Sequence, residues 1–324
     1  IRGDGIGPEV TEAAQRVIEA AGVKIDWIDL PAGAGAVEEY GKVLPTHTID
    51  QIEQHKVALK GPVTTPIGKG FKSVNVQLRM RLNLYSAIRP VRSIEGVKTR
   101  YEGVDLVVFR ENTEGLYSGL ENEIVEGVVT SLKVVTRKAS ERIARAAFTY
   151  CKERGRKKVS VFHKANIMKK SDGLFLDCVR EVHQAIAPEI EYEELIIDNA
   201  CMQMVRDPSR FDVLLLENLF GDIISDLCAG LVGGLGVVPG ANYGDEAAVF
   251  EAVHGSAPDI AGKDIANPLA VIMSGVMMLR HLGEDAQATR IRAAYDALLA
   301  EGNPAEMTRD LGGTAGTQAF ADAV

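Results

Sequence analysis

The stretch Val104-Asp105-Leu106-Val107-Val108-Phe109 is followed at once by Arg110-Glu111-Asn112, so an apolar run ends in charged and amide side chains. A short apolar run bounded in this way predicts a buried strand. The same pattern recurs three times further along the chain. The later runs are residues 159–162, which end in His163-Lys164, residues 195–197, which end in Asp198-Asn199, and residues 211–216, which end in Glu217-Asn218.

Helical patterns lie between these runs. Residues 140–154 and 172–187 carry apolar side chains at three-to-four spacing, the repeat of an amphipathic helix. Residues 9–21 are predicted to form a helix with Pro8 in its first turn, and residues 73–85 to form another with Ser73 as its N-cap. Strands that alternate with helices predict an α/β fold with a largely parallel sheet.

The charged strand ends indicate where function lies. Ligands of open α/β sheets bind beyond the carboxyl ends of the strands. Four strands that deliver both signs of charge at that edge therefore predict a polar active site. The alternative is four strands that simply end in charged loops.

Composition narrows the classes of partner. The 324 residues include 36 Lys or Arg and 45 Asp or Glu, which gives a formal net charge of −9. Because phosphate attraction scales with basic residues, we expect no nucleic acid and no membrane among the partners. Small molecules, metals or other proteins are favoured instead. The length exceeds what one hydrophobic core usually serves, so two lobes are expected.

Targeting and redox features are sparse. The longest apolar stretch, residues 269–279, is about half of the ~20 residues that a transmembrane helix needs. No signal peptide is visible, and the abrupt start at Ile1 is compatible with a strand or a targeting segment ahead of it. The four cysteines form no C-x-x-C pair and are expected to be buried and reduced.

The segment Gly3-Asp4-Gly5-Ile6-Gly7-Pro8 looks like a dinucleotide fingerprint but does not satisfy it. The fingerprint requires a sixth-position glycine, and Pro8 stands there. A tight turn ahead of a helix is the favoured interpretation.

Three arginines, Arg79, Arg89 and Arg110, lie near one another in sequence. Guanidinium groups bind carboxylates through two parallel hydrogen bonds, so several in one cleft would suit a polycarboxylate. The alternative is that they form ordinary surface ion pairs.

Asp222 and Asp226 are four residues apart and share one face of a helix. A hard divalent cation would relieve their repulsion, and Asp198 could supply a third carboxylate. Two solvated acids are the alternative, although the surrounding sequence is strongly apolar. The segment from His254 to Asp259 predicts a rigid loop of small residues that allows a ligand to approach closely; a functionless turn is equally compatible with its composition.

With these residues assembled, the sequence resembles the β-decarboxylating (isocitrate/isopropylmalate) dehydrogenase family and, within it, the NAD-dependent isocitrate dehydrogenases. The resemblance covers essentially the whole chain and is specific as a set. The stretches that carry it are Gly3 to Glu9, Lys60 to Pro66, Ser73 to Arg79, Arg110 to Gly119, His163 to Met168, Gly221 to Asp226, His254 to Gly262, and Asn267-Pro268.

The resemblance implies catalytic and substrate-binding roles. Tyr117 would protonate the carbon left by CO₂, and Lys164, supplied by the second subunit, would assist removal of the hydroxyl proton. Both pKa values are expected to be lowered by the cation and by each other. The substrate carboxylates would be bound by Arg79, Arg89 and Arg110, with Ser73 and Asn75 at the carboxylate that distinguishes isocitrate.

The resemblance also implies cofactor sites. Asp222 and Asp226 would bind Mg²⁺ or Mn²⁺ together with Asp198 of the second subunit. The nicotinamide would lie near Thr64 and Thr65, and the adenosine pocket would be lined by His254, Gly255, Ala257, Asp259, Ile260 and Asn267. A carboxylate at position 259 repels a 2′-phosphate, and NADP-using relatives typically have a Lys-Tyr pair where this chain has Asp259-Ile260. The expected cofactor is therefore NAD.

The implied activity is oxidative decarboxylation of isocitrate to 2-oxoglutarate and CO₂, a step of the tricarboxylic acid cycle. The implied fold is the family's and not a Rossmann fold. A large domain (residues 1–84 and 233–324) would carry an inserted small domain (85–114 and 137–232), and a clasp (115–136) would join two subunits of a homodimer or a higher oligomer. The expected location is cytoplasmic, or the mitochondrial matrix in a eukaryote.

Three alternatives remain at this point. A homoisocitrate dehydrogenase would share the stretch from Asn112 to Tyr117, and Arg79-Met80-Arg81 is weakly typical of that enzyme. An isopropylmalate dehydrogenase needs an apolar pocket, which Ser73 and Asn75 disfavour. A non-catalytic regulatory subunit would have lost some of the catalytic groups, and this chain retains them.

Overall fold

The computed structural model describes residues 1–65 and 73–324, so Pro66, which ends one of the stretches quoted above, lies outside the described residues. The described helices are α1 (Gly7–Ala20), α2 (Gly35–Tyr40), α3 (Thr46–His55), α4 (Val74–Arg81), α5 (Arg137–Arg154), α6 (Ser171–Ile186), α7 (Ile197–Arg206), α8 (Asn218–Leu231), α9 (Leu269–His281), α10 (Asp285–Glu301) and α11 (Thr317–Ala323). The described strands are β1 (Val57–Lys60), β2 (Ser86–Arg92), β3 (Asp105–Glu111), β4 (Gly115–Val125), β5 (Val128–Val134), β6 (Lys158–His163), β7 (Glu191–Ile196), β8 (Val213–Leu216), β9 (Pro239–Tyr243) and β10 (Ala248–Ala252).

Eight of these strands form one sheet in the order β1-β10-β9-β2-β3-β8-β6-β7. The α/β class is confirmed, and the four strands predicted from apolar runs are present as β3, β6, β7 and β8. These four are mutually parallel, and β1 is parallel to β10. The centre differs from the prediction, because β10–β9, β9–β2 and β2–β3 are antiparallel. Only four residues join β9 to β10, a connection that is too short for a parallel crossover.

Helix α4 is shorter than predicted. Ser73 caps it as expected, because its hydroxyl accepts a hydrogen bond from the Val76 amide at 3.4 Å. The helix ends at Arg81 and does not reach Tyr85. The backbone of Asn83 takes a left-handed conformation (φ 48°), which turns the chain out of the helix and into β2.

Helix α9 explains the longest apolar stretch of the sequence. It is almost entirely buried, since it packs against β9 and β10 on one side and against α1 and α10 on others. A helix that is apolar all round is a core helix when neighbours cover every face. Among the described residues, no helix has the length and apolarity needed to cross a membrane.

The two ends of the chain pack together. Helix α1 lies against both α9 and α11, and Arg16 of α1 bonds Gln318 at 2.7 Å and forms an ion pair with Asp322. Near the start of the chain, the amide of Gly61 donates to the carbonyl of Ile1. The first and last segments therefore belong to one packing unit.

Strands β4 and β5 form a separate antiparallel hairpin. This is the strand pair predicted within residues 115–136. Its apolar side chains face outwards: Ile124 and Val129 are each 64% exposed.

The cysteines follow the prediction of burial with one exception, Cys201, which is half-buried. All four are unpaired, and Cys151, Cys178 and Cys228 are buried. Burial raises the pKa of the Cys151 thiol to about 12, so it stays protonated at neutral pH.

Candidate active site

The site is built around Arg110 at the end of β3. Its guanidinium is 1% exposed and donates from Nε and Nη2 to Asn218 Oδ1 at 3.0 and 2.8 Å, while Nη1 forms an ion pair with Asp222. Burial, and then the nearby charges of Arg79 and Arg89, lower the pKa of Arg110 to about 10. The three predicted arginines therefore form one buried cationic cluster.

Gly221 allows Arg110 to reach this position. A Cβ at residue 221 would lie 2.5 Å from Cγ and 2.7 Å from Cβ of Arg110, closer than real contacts permit. Glycine in the Gly-Asp pair of α8 thus lets the arginine pass beneath the helix that carries Asp222.

Tyr117 joins the same group from β4. Its hydroxyl donates to Asp222 Oδ2, and its ring lies 5.0 Å from the Arg110 guanidinium carbon. Burial, together with the hydrogen bond to Asp222, raises the pKa of Tyr117. These two causes oppose the lowering that the sequence predicts from a cation and from Lys164, and they hold the phenol in its protonated form. The lowering by a cation stays a prediction.

Arg89 links the cluster to the second aspartate of α8. Its Nη1 donates to Ser225 Oγ and lies 3.5 Å from Asp226 Oδ1. Arg79, on α4, lies 3.5 Å from Glu251 Oε1, and its Nε is buried without a hydrogen-bond partner.

A cavity of about 120 Å³ lies between these arginines. Arg79, Arg89 and Asn75 line it together with the segment at His254 and Gly255. The Oδ1 atom of Asn75 is buried and makes no hydrogen bond in the described part of the chain. Unsatisfied buried polar atoms of this kind are typical of sites that acquire their partner from a ligand.

Asp222 and Asp226 have the donor chemistry for a hard cation, because two carboxylates lie one helical turn apart on α8. Burial raises the pKa of Asp226. Burial acts in the same sense on Asp222, but the charge of Arg110 and the Tyr117 hydrogen bond outweigh it and lower the pKa. These residues fit a divalent metal as two of its ligands.

The structure does not bring Asp198 to the α8 pair. Within the described residues, no group of three or more His, Cys, Asp or Glu side chains is arranged to hold a metal. Asp198 instead pairs with Lys164 Nζ, and this hydrogen bond lowers its pKa. One chain therefore holds two partial sites: Tyr117 with Asp222, and Lys164 with Asp198.

The loop after β10 lies beside the loop after β1. Thr64 Oγ1 and Ser256 Oγ are 2.6 Å apart, and Thr65 Oγ1 accepts from the Val74 amide at 3.1 Å. His254 Nε2 is buried without a partner, and burial lowers the pKa of its ring.

The Gly3–Pro8 turn holds these two loops together. Asp4 accepts hydrogen bonds from the amides of Thr64 and Ala34, and Ile6 N donates to Ser256 O at 2.8 Å. Gly5 has φ +59°, and a Cβ there would lie 2.0 Å from Ser256 O. The turn predicted from the sequence is present, and it joins the segments on which Thr64 and Ser256 lie.

The remaining predicted cofactor residues lie around this loop. Asp259 is exposed and Ile260 is half-buried, while Ala257 adopts a left-handed backbone (φ 37°). Asn267 donates to Asp310 Oδ2 at 2.8 Å and accepts from the Leu269 amide. The exposed Asp259 carboxylate and the unpartnered His254 nitrogen are compatible with an adenosine group in this place.

Sequence reasoning missed a buried polar network behind Arg79. Lys60 Nζ lies 2.5 Å from Glu251 Oε2, Asn242 Nδ2 donates to Glu251 Oε1 at 2.7 Å, and Asn112 Nδ2 donates to Asn242 Oδ1. Burial opposes ionisation of Glu251, but Lys60 and Arg79 outweigh it and lower its pKa to about 2. The available signal was a single charged residue inside each of two apolar runs, at Lys60 in β1 and at Glu251 in β10.

The arrangement of guanidinium groups, paired carboxylates and a tyrosine defines a site for an anionic substrate and a divalent cation. Comparison with known proteins agrees with that class. The isocitrate/isopropylmalate dehydrogenase family matches residues 1–324, and the chain belongs to it.

Three similar proteins illustrate the range of the family. The chain is 54% identical over 323 residues to mitochondrial NAD isocitrate dehydrogenase catalytic subunit 5 of Arabidopsis thaliana. This alignment covers 99% of the present chain and 86% of the Arabidopsis protein. It is 53% identical over 301 residues to chloroplastic 3-isopropylmalate dehydrogenase of Solanum tuberosum, covering 93% and 84%. The crystal structure of isocitrate dehydrogenase from Methylococcus capsulatus superposes with a TM-score of 0.96 at 52% identity, covering 99% and 96%.

Proposed function

We propose that this chain catalyses NAD-dependent oxidative decarboxylation of isocitrate to 2-oxoglutarate and CO₂ with Mg²⁺ or Mn²⁺. The observation that carries the proposal is the convergence of Arg79, Arg89 and Arg110 on one buried site. Each arginine pairs with one carboxylate of the chain, but Lys60 adds a fourth cation, so four cations face three carboxylates. The carboxylates of isocitrate would balance the remaining positive charge.

The polar wall of the cavity favours isocitrate over isopropylmalate. Asn75 presents an unsatisfied oxygen in the place where an isopropyl group would need apolar contact. Ser73 lies exposed at the start of the same helix. The motif Arg79-Met80-Arg81 gives the homoisocitrate alternative little support, because Arg81 is exposed and does not line the cavity that Arg79 lines. The stretch from Asn112 to Tyr117 is shared by both enzymes and does not separate them.

The deciding measurement is the formation of reduced nicotinamide from isocitrate, homoisocitrate and 3-isopropylmalate, each with Mn²⁺ and NAD. We expect kcat/KM for isocitrate to exceed the other two by at least roughly 100-fold, because the cavity's polar groups are left unpaired by the wrong substituent. An isolated chain that does not oxidise isocitrate would overturn the proposal.

In this reaction the arginines bind and orient the substrate carboxylates. Lys164 of the partner subunit assists removal of the hydroxyl proton as the alcohol is oxidised, and Asp198 beside it stabilises the ammonium. Asp222 and Asp226, with Asp198 of the partner subunit, would hold a divalent cation, which would supply polarisation of the new carbonyl group. A nicotinamide held near Thr64 and Thr65 would supply the hydride acceptor. Once CO₂ has left, Tyr117 donates a proton to the remaining carbon. Its hydroxyl is available for this step because the raised pKa keeps it protonated at neutral pH.

The presence of all the proposed catalytic groups also disfavours the alternative that this chain is a purely regulatory subunit. Tyr117, Asp222 and Arg110 are present and in mutual contact. Lys164 and Asp198 are present and paired. A chain that had lost catalysis would be under no requirement to keep these arrangements.

The proposed cofactor is NAD, on the strength of the exposed Asp259 carboxylate. Replacing Asp259 with Lys and Ile260 with Tyr should raise the kcat/KM ratio of NADP to NAD by at least roughly tenfold, because the new cation pairs with the 2′-phosphate and the repelling carboxylate is lost. Initial rates with each cofactor measure the ratio. The control is Asp50→Lys, an exposed site on α3 without a side-chain partner; an equal change in both variants would refute the assignment.

We further propose that residues 1–84 and 233–324 form a large domain around an inserted small domain (85–114 and 137–232). The packing of α1 against α11 supports the joining of the two chain ends. A second subunit would complete the site, since Lys164 and Asp198 lie apart from Tyr117 and Asp222 within one chain. The exposed apolar residues of the proposed clasp, Ile124 and Val129, and Ile223 of α8 favour a homodimer or a higher oligomer. The proposed location is cytoplasmic, or the mitochondrial matrix in a eukaryote; the name of the similar Arabidopsis subunit describes it as mitochondrial.

A further inference from the structure

A second, larger cavity lies on the other face of the sheet. It measures about 690 Å³ and is lined by α5, by the end of α9 and by β2 and β9; it is called the α5–α9 cavity below. Strand β2 separates it from the candidate active site, because alternate side chains of a strand face opposite ways. Ser86, Ile88 and Pro90 line the α5–α9 cavity, whereas Ala87 and Arg89 line the active-site cavity.

The groups around the α5–α9 cavity are mainly hydrogen-bond donors and cations. Arg145 and Arg154 on α5 and Arg280 on α9 make no side-chain hydrogen bond or ion pair with any described residue. The hydroxyls of Tyr150 and Tyr243 also lack a hydrogen-bond partner among those residues. A guanidinium group has five N–H donors and no acceptor, so arginines without a partner in the described residues keep donors available for a ligand in this cavity.

Two carboxylates also line the α5–α9 cavity, but they do not neutralise the charge of its arginines. Asp245 lies near Tyr85, and burial and the charge of Asp245 raise the pKa of that tyrosine. Glu153 forms no ion pair with a described residue. The same lining holds the three arginines without a partner among the described residues, and Arg142, whose Nη2 lies 3.7 Å from Glu111 Oε1. The lining therefore carries a net positive charge, although the chain as a whole is acidic.

From this geometry we propose that the α5–α9 cavity binds a small multivalent oxyanion, a molecule with at least two phosphate or carboxylate groups. The volume lies within the range of small-molecule sites. Planar guanidinium groups and phenol hydroxyls bind such oxygens through charge-assisted hydrogen bonds. The chemistry of the site does not depend on the reaction proposed above.

The site has a physical connection to the candidate active site through Arg142. Its guanidinium stacks on Tyr85 at 4.5 Å and donates to Asn83 Oδ1 at 2.8 Å and to Thr113 Oγ1 at 2.6 Å. Asn83 ends the turn after the helix that carries Arg79, and Thr113 follows the strand that carries Arg110. A bound anion thus touches a side chain that contacts both arginine-bearing segments.

Calorimetric titration of the whole protein with pyrophosphate, in the absence of metal, tests the proposal. We expect one binding event that the double variant Arg145→Gln/Arg154→Gln weakens by at least roughly tenfold, since two charge-assisted contacts are lost. Both arginines are exposed and form no side-chain hydrogen bond or ion pair with a described residue, so we expect the double variant to keep the fold. Arg290→Gln, an exposed and unpaired position on α10, is the matched control and should bind as the unmodified protein does.

A second variant separates the two cavities. Arg89→Gln alters the active-site cavity alone, and it should keep the pyrophosphate event that the double variant weakens. Hydrogen exchange should show protection at residues 142–154 and 277–281 when pyrophosphate binds. Tricarballylate in a parallel titration distinguishes a phosphate site from a carboxylate site, and tight binding of either anion at these arginines supports the proposal. Absence of binding by both anions, or binding lost in Arg89→Gln and kept in the double variant, would overturn it.

Discussion

Replacing Asp222 with Asn is expected to lower kcat for isocitrate by roughly 10³-fold, an effect of the size seen when one preorganised electrostatic group is removed from a site. The carboxylate is the ion-pair partner of Arg110, the acceptor of the Tyr117 hydroxyl and one of the two α8 groups proposed for the cation. Asn keeps the shape of Asp but removes the charge on which two of these interactions depend.

A second measurement, which does not depend on activity, compares Asp222→Asn with the unmodified protein. Mn²⁺ should raise the Tm of the unmodified protein, because a ligand that binds only the folded state stabilises it. Asp222→Asn should lose most of that increase and keep its far-ultraviolet circular dichroism. Asp50→Asn, on the exposed face of α3, should match the unmodified protein in both measurements. Retention of kcat within one order of magnitude by Asp222→Asn would show that this carboxylate has no catalytic role.

The second large effect concerns stability. Replacing Glu251 with Gln should lower the free energy of unfolding by roughly 3–5 kcal/mol, because a buried ion pair that loses one partner leaves an uncompensated charge. Lys60 is 2% exposed and Arg79 is nearly as well buried, so neither cation can recover its hydration. Urea unfolding followed by circular dichroism measures the change.

The β9–β10 hairpin supplies a matched control for Glu251. Glu246 also pairs with a lysine, Lys56, at 3.2 Å, but the two side chains are 81% and 52% exposed. Glu246→Gln should therefore change the unfolding free energy by less than about 1 kcal/mol. Equal losses for the two variants would mean that the buried network contributes nothing beyond an ordinary surface ion pair.

The lowered pKa of Glu251 also predicts that the stability of the folded protein depends on pH. The pKa of Glu251 is about 2 in the folded protein and about 4.3 in an unfolded chain. Because the folded value is the lower one, this stabilisation is fully present above about pH 4.3 and is lost as the pH falls towards 2. In Glu251→Gln, the dependence of stability on pH between about 4 and 2 should be flatter than in the unmodified protein.

Local patterns were sufficient for much of the fold and for half of the site. An apolar run that ends in Arg110 has to be a strand with its charge at the sheet edge, and aspartates at 222 and 226 have to share a helix face. These features depend only on the periods of helix and strand. The family resemblance then identified Tyr117, whose contact with Asp222 links residues that are 105 positions apart.

The rest depends on contacts that local patterns do not encode. Lys60 and Glu251 are in contact because β1 pairs with β10. The sequence around either residue does not predict this contact. The antiparallel centre of the sheet and the end of α4 at Arg81 were also not predicted from the local patterns. The raised pKa of Tyr117 follows from burial, which a linear pattern does not measure.

The pairing of distant segments also determines when, during synthesis, the chain can complete its fold. Strand β1 needs β10, and helix α1 needs α11, so Arg16 meets Asp322 across 306 positions of sequence. A chain emerging from the ribosome cannot close this unit until nearly all of it has been made, whereas β3, β6 and β8 can pair much earlier. The loops carrying Thr64 and Ser256 belong to the late unit. We therefore expect nucleotide binding to be the last property that the folding chain acquires.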